Sequence, residues 1–121
     1  MNLDDVRIQS MQSHGVQVIN NTVVYANNVR AMRNGIGVGG GDGFRADGTL
    51  GSSVLNCTGC TAFANFGIGF NAINSGAIRI SDSNVYNHGT GISGNVKSGG
   101  NNRFAANTSN GSPGVTDITV Q

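Results

Sequence analysis

The chain has 121 residues, a formal net charge of +1 and only 11% charged residues. Seven scattered cations cannot form the broad basic face that nucleic-acid binding requires, and no apolar run approaches the ~20 residues of a membrane-spanning helix. Glu is absent and Lys and Leu are scarce, while Gly, Asn, Ser, Thr and Val are abundant, so the composition disfavours helices and favours short strands joined by turns.

From Val6 onwards, three short apolar segments recur in the same order along the chain. The first is an alternating pair of apolar residues, which is typical of a strand: Val6 and Ile8, Val24 and Ala26, Leu55 and Cys57, Ile78 and Ile80. The second runs from an apolar residue to a small or polar one, usually Asn or Ser: Met11 to Ser13, Met32 to Asn34, Phe63 to Asn65, Val85 to Asn87 and, more loosely, Phe104 to Asn107. The third begins at a glycine and continues with two apolar residues one apart; its glycines are Gly15, Gly35, Gly67 and Gly91.

Three short strands in each unit of ~20 to 30 residues predict a β-solenoid, in which equivalent residues of successive coils stack ~4.8 Å apart. We expect three inward columns. The first would contain Met11, Met32, Phe63, Val85 and Phe104. The second would contain Val16, Ile36, Ile68 and Ile92, and the third, two residues further on, Val18, Val38 and Phe70. A β-sandwich or a small barrel is the alternative, but it would require hairpin turns and no shared register.

We interpret the recurring Asn and Gly as corner residues. Asn tolerates left-handed backbone geometry and its amide can bond to the Asn above and below, while Gly relieves the backbone where the chain turns into the next strand. The predicted architecture is one domain over residues 1–121, with about five coils in 6–106. We expect a protruding loop over 37–53, because insertions in solenoids are confined to loops, and an exit or cap over 107–121.

These repeat units resemble those of the right-handed parallel β-helix of pectate-lyase-like proteins. The segment GNNRFAANTSNGSPGVTDI, Gly100 to Ile118, is similar to the last coil and exit of bacterial β-helix proteins with no assigned activity. The resemblance implies an all-β, right-handed parallel β-helix and an extracellular or cell-surface location, although no signal peptide is visible in this chain. It does not imply one function, because the family includes lyases, hydrolases, phage tailspikes and passive surface proteins.

Catalysis is not favoured by the distribution of acidic residues. Family members that cleave glycans carry clustered acids, and hydrolases need two carboxylates facing each other. Here Asp42 and Asp47 share one predicted loop and Asp82 stands alone in its coil. The stretch GGGDG, Gly39 to Gly43, is a single half-copy of a calcium-binding repeat, and we interpret it as a flexible loop with a solvated Asp42. We predict no catalytic residue, metal or cofactor.

The cysteines and histidines are interpreted structurally. For Cys57 and Cys60 we expect one packed thiol and one thiol in a bend, with a strained local disulfide as the alternative. Structural zinc would require four ligands, and His14 and His88 lie in distant coils. Both histidines fall near the Asn bend of their coils. We therefore expect stacking or hydrogen-bonding roles for them, without an acidic partner.

The function that this pattern favours is a non-catalytic solenoid, a surface, structural or adhesive module with weak carbohydrate binding. The alternative is a fragment of a polysaccharide lyase or glycoside hydrolase of the same fold; ice binding is disfavoured because the threonines fall in different registers. A glycan is the expected partner, together with self-association through an uncapped N-terminal coil or continuation into a longer chain. The candidate ligand contacts are Tyr25, Phe44, Arg45, Tyr86 and His88.

Overall fold

A computed structural model describes residues 1–37 and 40–111. Over these residues the chain is all-β, with fourteen short strands and no helix. Sheet A contains β1 (Asn2–Asp4), β4 (Val23–Asn27), β7 (Val54–Thr58), β10 (Ala77–Ser81) and β13 (Val96–Gly100). Sheet B contains β2 (Arg7–Gln9), β5 (Arg30–Met32), β8 (Thr61–Phe63), β11 (Asn84–Tyr86) and β14 (Arg103–Ala105). Sheet C contains β3 (Val16–Val18), β6 (Phe44–Asp47), β9 (Phe70–Ile73) and β12 (Ile92–Gly94).

All three sheets are parallel, and each strand pairs with the strand three places further along the chain. One turn of the chain therefore contributes one strand to each sheet in turn. We number these turns as coils, so that coil 1 contains β1 to β3 and coil 5 contains β13 and β14. This topology is compatible with a β-solenoid.

The core lies between the three sheets and is built from the inward residue of each strand. In sheet A the predicted pairs are confirmed for coils 2 to 4, because Val24, Leu55 and Ile78 are register partners and all are buried. In sheet C the aromatic rings of Phe44 and Phe70 stack with their centroids 4.6 Å apart. Burial of such β-branched and aromatic side chains is the main favourable contribution to stability.

The predicted column in sheet B is confirmed for Val85 and Phe104, which are buried register partners, and wrong for Met11, Met32 and Phe63. The inward residues are Ile8, Ala31, Ala62, Val85 and Phe104, which are register partners along the sheet. Met32 and Phe63 are partners of each other, but they follow the inward alanines and point outward. In a strand, successive side chains alternate between the two faces, so a shift of one residue moves a whole column from the core to the surface.

The predicted alignment of the glycines is half right. Gly15 and Gly91 hold equivalent positions, but Gly43 and Gly69 replace Gly35 and Gly67. The residues that follow these four glycines are successive register partners along sheet C: Val16 with Phe44, Phe44 with Phe70, and Phe70 with Ile92. In the predicted second column, Ile36 is exposed and Ile68 is half-buried, so neither belongs to the core. In the predicted third column, Val18 pairs with Ala46, and Val38 lies outside the described residues.

The glycines at these four positions recur because a side chain would not fit there. None of the four has a positive φ. A Cβ on Gly15 would lie 2.6 Å from the carbonyl oxygen of Gly43, and one on Gly69 would lie 2.5 Å from that of Gly91. These contacts are too close for any side chain, so the glycine is required by the coil stacked beside it.

The predicted protruding loop over 37–53 is also wrong in its centre. Strand β6 lies inside this range, where it is paired on both sides by β3 and β9 and its Phe44 and Ala46 are fully buried. The alternation of buried and half-buried side chains in FRAD is a strand pattern. Among the described residues, the extra part of coil 2 instead lies at 35–37 and 40–43 before β6 and at 48–53 after it.

The stacked region begins earlier and continues later than predicted. Strand β1 already pairs with β4 from Asn2 onwards, so coil 1 starts before residue 6. At the other end, Ser109 forms a parallel bridge with Thr90, so residues 107–111 still follow coil 4. The remainder of the predicted exit, 112–121, lies outside the described residues.

Two sharp corners flank sheet B, and both use a residue in the left-handed region. At the A/B corner, between sheets A and B, these residues are Asp5, Asn28, Gly59, Asp82 and Asn101. At the B/C corner, between sheets B and C, they are Ser10, Arg33, Ala64, Asn87 and Ala106. The repeated Asn of the sequence motif is therefore mostly the residue after the bend, and Asn87 is the exception.

Candidate functional site

The five predicted ligand contacts do not form one site. Tyr25 is 52% exposed on the outer face of sheet A, whereas Tyr86 lies on the outer face of sheet B and Arg45 on that of sheet C. Phe44 is 0% exposed and His88 is 3% exposed, so neither is available to a ligand. The five predicted contacts are therefore distributed over three outer faces and the core.

The densest polar cluster lies at the N-terminal ends of the sheet C strands and is centred on Asp42. Its Oδ1 accepts a hydrogen bond from the Ile68 amide at 2.8 Å, and its Oδ2 accepts one from Asn71 Nδ2 at 2.9 Å and lies 3.3 Å from Arg45 Nη1. His14 Nδ1 accepts a hydrogen bond from the Asp42 amide at 2.9 Å and lies 3.6 Å from Oδ2. The prediction of a solvated Asp42 is wrong, because the segment around Asp42 folds back onto coils 1 and 3, and His14 bonds the backbone amide of Asp42 rather than its carboxylate.

Burial and charge in this cluster act on His14 in opposite directions. Loss of hydration lowers the pKa of His14 below its usual value, and this effect outweighs the nearby Asp42 carboxylate, which raises it. The tautomer agrees with this, since a nitrogen that accepts the Asp42 amide proton cannot itself carry one. His14 is therefore neutral and braces the chain at Asp42.

The second carboxylate near this cluster, Asp47, is held ionised. Thr49 donates to its Oδ1 from the backbone amide at 2.9 Å and from the hydroxyl, and Asn74 Nδ2 donates at 2.9 Å. The Thr49 hydroxyl is the largest influence, and together these donors lower the pKa of Asp47 to about 2. A general acid or base works best with a pKa near the operating pH. Asp47 is therefore a poor proton donor or acceptor at neutral pH.

Behind the B/C corner, four buried or half-buried polar residues form a hydrogen-bonded column. Asn34 donates to Asn65 Oδ1 from its amide and from Nδ2, both at 3.0 Å. Asn65 Nδ2 donates to the carbonyl of Ala31 at 2.9 Å and to His88 Nε2 at 3.1 Å. His88 donates from its amide to Asn107 Oδ1 at 2.9 Å. The predicted ladder of stacked amides is confirmed for Asn34 and Asn65, whereas Asn107 bonds His88, which takes the place expected for Asn87.

Cys57 and Cys60 are both buried and both are free thiols. Cys57 faces the core of sheet A, and burial raises its pKa well above the usual value. Cys60 follows the left-handed Gly59, and its Sγ lies 3.5 Å from the carbonyl oxygen of Ala26. The structure therefore has the packed thiol and the bend thiol that the sequence predicts.

The outer face of sheet B carries a column of apolar side chains, of which the sequence predicts Tyr86 as a ligand contact and Met32 and Phe63 as core residues. Met32, Phe63 and Tyr86 are register partners on three neighbouring strands, and each is half-buried. The Tyr86 hydroxyl donates to Asn84 Oδ1 at 2.8 Å, which fixes the ring against the sheet. We call Met32, Phe63 and Tyr86 the apolar stripe.

Cations and an amide border the apolar stripe at its N-terminal end. A groove of about 210 Å³ is lined by Arg7, Gln9, Met32, Arg33 and Phe63. Arg7 Nε donates to Gln9 Oε1 at 3.0 Å, which holds one guanidinium along the rim. Arg30 is the register partner of Arg7 and is exposed. The groove therefore combines an apolar floor with guanidinium groups on one side.

Neither a metal site nor a membrane-spanning helix is found in the part of the chain that the structure describes. Over residues 1–37 and 40–111, no three His, Cys, Asp or Glu side chains are grouped so that they could hold a metal ion. In the same residues, no helix has the length and apolar character needed to cross a membrane. Compared with known proteins, the chain matches no family model, no curated protein and no solved structure.

Proposed function

We propose that this chain is a non-catalytic module of the right-handed parallel β-helix type, which serves as a surface, structural or adhesive element and binds a glycan on the outer face of sheet B. The observation that carries the proposal is the apolar stripe, whose three members lie outward and in register. Strand order supports the β-helix, because each turn adds one parallel strand to each of three sheets.

The chemistry of this face suits a sugar chain. Aromatic rings and a thioether offer flat apolar surface to the C–H face of a sugar ring. Guanidinium groups such as those of Arg7 and Arg33 donate paired hydrogen bonds to carboxylates and hydroxyls. Neighbouring strands repeat at ~4.8 Å, so the stripe forms an extended contact rather than a single pocket. We therefore expect weak binding of an extended glycan, with a preference for acidic sugars.

The state of the carboxylates supports a binding role over a catalytic one. The Asp42 side chain is 6% exposed and its oxygens are occupied by Ile68, Asn71 and Arg45. Asp47 has a pKa of about 2 and is engaged by Thr49 and Asn74. Both acids thus hold the segments on either side of β6, and the low pKa of Asp47 makes it a poor proton donor or acceptor at neutral pH.

The binding face is tested with single alanine substitutions on it and off it. We expect Phe63→Ala and Tyr86→Ala to weaken binding of acidic oligosaccharides about tenfold each, since stacking on an aromatic ring contributes roughly 1 kcal/mol or more. Phe66→Ala is the matched control, because Phe66 is 66% exposed but lies outside the stripe. Titration by NMR chemical shifts measures all three variants. Equal losses in Phe63→Ala and Phe66→Ala, or no shift with any glycan, would refute this face.

The alternative, a fragment of a polysaccharide lyase or glycoside hydrolase, is tested in the same samples. Cleavage would release unsaturated or reducing ends from acidic or neutral glycans. The specific observation in its favour is that Arg45 lies within 4.0 Å of both Asp42 and Asp47 on one outer face. New chain ends that are lost in Asp47→Asn would establish the enzyme, whereas bound but intact glycan supports the non-catalytic module.

Self-association is proposed for the N-terminal end of the stack. Strands β1, β2 and β3 each have one partner strand among the described residues, which leaves one edge of each strand open to pairing. A second copy or a further coil of the same chain would cover these edges. Light scattering that shows one monomeric mass at every concentration would rule out pairing between copies.

A further inference from the structure

A second groove crosses the outer face of sheet A over β7, β10 and β13. It has a volume of about 370 Å³ and lies on a different face from the apolar stripe. Its lining includes Asn56, Thr58, Arg79, Ser81, Lys97 and Gly99. Its polar lining carries two cations and no carboxylate.

The two cations of this groove are placed side by side by the strand register. Arg79 is the register partner of Lys97, so the two side chains leave the same face one strand spacing apart. Neither side chain has an ion pair or a hydrogen bond with any residue in 1–37 or 40–111. The acid closest to them along the chain, Asp82, lies at the A/B corner and accepts a hydrogen bond from Asn101. Like charges directly opposite each other in a sheet are destabilising, so this arrangement calls for a negatively charged ligand.

A β-bulge opens the space beside these cations. The register between β10 and β13 shifts after Ile80, so that Ser81 pairs with Gly100 and Gly99 is the extra residue. The bulge places Gly99 in the lining of the groove, where an added Cβ would lie 3.3 Å from the Cβ of Ser81. Bulges are over-represented beside functional sites, where they redirect a strand or end its pairing.

Two hydroxyl groups line the same groove as the two cations. Thr58 and Ser81 are register partners on β7 and β10, and their oxygens lie 3.5 Å apart. They stand two residues after Asn56 and Arg79 and thus on the same face. Hydroxyls can donate to an anion while the cations neutralise it.

We propose that this groove binds an oxyanion, a sulfate or phosphate group, between Arg79 and Lys97. The guanidinium supplies two parallel donors to two oxygens, the ammonium supplies a point charge to a third, and the hydroxyls of Thr58 and Ser81 face the fourth oxygen. The group can be the free inorganic ion or a monoester on a polymer, because a monoester keeps the three terminal oxygens that Arg79 and Lys97 contact and its fourth oxygen is the link to the polymer. This site does not depend on the glycan face of sheet B.

The first experiment measures binding of sodium sulfate by isothermal titration calorimetry and NMR, with sodium chloride at matched ionic strength. Saturable shifts of Arg79, Lys97 and Gly99 with sulfate alone are expected. Arg79→Gln and Lys97→Gln should each raise the dissociation constant about tenfold, since a charge-assisted hydrogen bond is lost. Arg103→Gln removes the same charge from sheet B and should change the constant less than twofold. Shifts that follow ionic strength, or equal losses in Arg79→Gln and Arg103→Gln, would overturn the site.

A second arm distinguishes the two sources and guards against misfolded variants. Dextran sulfate is compared with unmodified dextran and with free sulfate by the NMR shifts of Lys97 and Gly99 in wild type, Arg79→Gln and Phe66→Ala. Shifts at these two residues that are larger with the sulfated polymer, lost in Arg79→Gln and kept in Phe66→Ala, assign a polymer-borne group to this groove. Binding of free sulfate alone assigns the inorganic ion. Unchanged thermal midpoints in all variants are required, and shifts of Lys97 and Gly99 that persist in Arg79→Gln would overturn the proposal.

Discussion

The two corners that flank sheet B share one backbone geometry but differ in the side chains behind it. At the A/B corner the buried residues after the bend change from apolar to polar along the stack: Val29, Cys60, Ser83 and Asn102. At the B/C corner they are polar in every coil from coil 2 onwards: Asn34, Asn65, His88 and Asn107. The stacking of coils thus sets the bend, while the side chain behind it can vary if its hydrogen bonds are satisfied.

The largest loss of stability is expected from interrupting the hydrogen-bonded column behind the B/C corner. Asn65→Ala leaves the amide of Asn34, the carbonyl of Ala31 and Nε2 of His88 without the partner that each now has. Buried groups that lose their partners cost about 1–3 kcal/mol each, partly relieved by rearrangement, so we expect a loss of about 3 kcal/mol. Urea unfolding followed by circular dichroism measures it.

The A/B corner offers the matched variant. Ser83→Ala removes one acceptor from the Cys60 amide and should cost about 1 kcal/mol. A ratio near three between the two losses would support a continuous polar column at one corner and a mixed one at the other. If Ser83→Ala were as destabilising as Asn65→Ala, the distinction between the corners would be wrong.

A pH effect is expected from His88, the one column member that is not an amide. Burial lowers its pKa below the usual value of 6.5, against smaller opposing effects from Asn107 and Asp42. The unfolded chain therefore takes up the proton first, so stability is complete above pH 6.5 and is lost as the pH falls towards the lower, folded pKa. Unfolding free energies from pH 8 to pH 5 should show this decline.

Replacing His88 with Asn isolates its share of the pH dependence. Asn at this place can accept from the amide of Asn65 and donate to the carbonyl of Ala62, as Asn107 does for the amide of His88 and the carbonyl of Val85. His88→Asn should then flatten the decline, leaving the part due to His14, whose pKa is also lowered. An unchanged pH profile in His88→Asn would show that the column does not bury a neutral imidazole.

The smallest change in stability is expected from the left-handed residue at the B/C corner. Ala64 has a φ of 51° at the B/C corner, a conformation that costs an L-residue roughly 1 kcal/mol and glycine almost nothing. We expect Ala64→Gly to stabilise the chain by about 0.5–1 kcal/mol, although the flexible unfolded chain offsets part of the gain. Ala62→Gly is the control, since Ala62 is a buried strand residue and the change should destabilise by about 1 kcal/mol. Destabilisation by both variants would contradict the bend geometry.

The alternation in sheet A was predictable because large apolar residues occupy its inward positions. In sheet B the same rule selected Met32 and Phe63, which are larger than the inward Ala31 and Ala62. The reason is that sheet C places Phe44 and Phe70 in the same two coils, and the limited interior volume then admits only alanine opposite them. A pattern within one strand cannot reveal the volume that another strand supplies.

The candidate site was not predictable for related reasons. Asp42 was assigned to a flexible loop, because its partners His14 and Asn71 lie 28 and 29 residues away in sequence. The apolar stripe was not predicted as a whole, because the one-residue error in sheet B placed Met32 and Phe63 in the core. Its signal is nevertheless present in the sequence, since RAM, TAF and NVY each place a residue with apolar surface at the same position of the repeat.

The register of sheet B decides both the core and the glycan face, and methyl NOEs measure it directly. With Ala62, Val85 and Phe104 inward, the methyl groups of Val85 should show strong NOEs to the Ala62 methyl and to the Phe104 ring, and Phe63 should show them to the Tyr86 ring. Strong NOEs from Val85 to the Phe63 ring, with none to the Ala62 methyl, would place Phe63 in the core and remove the binding face.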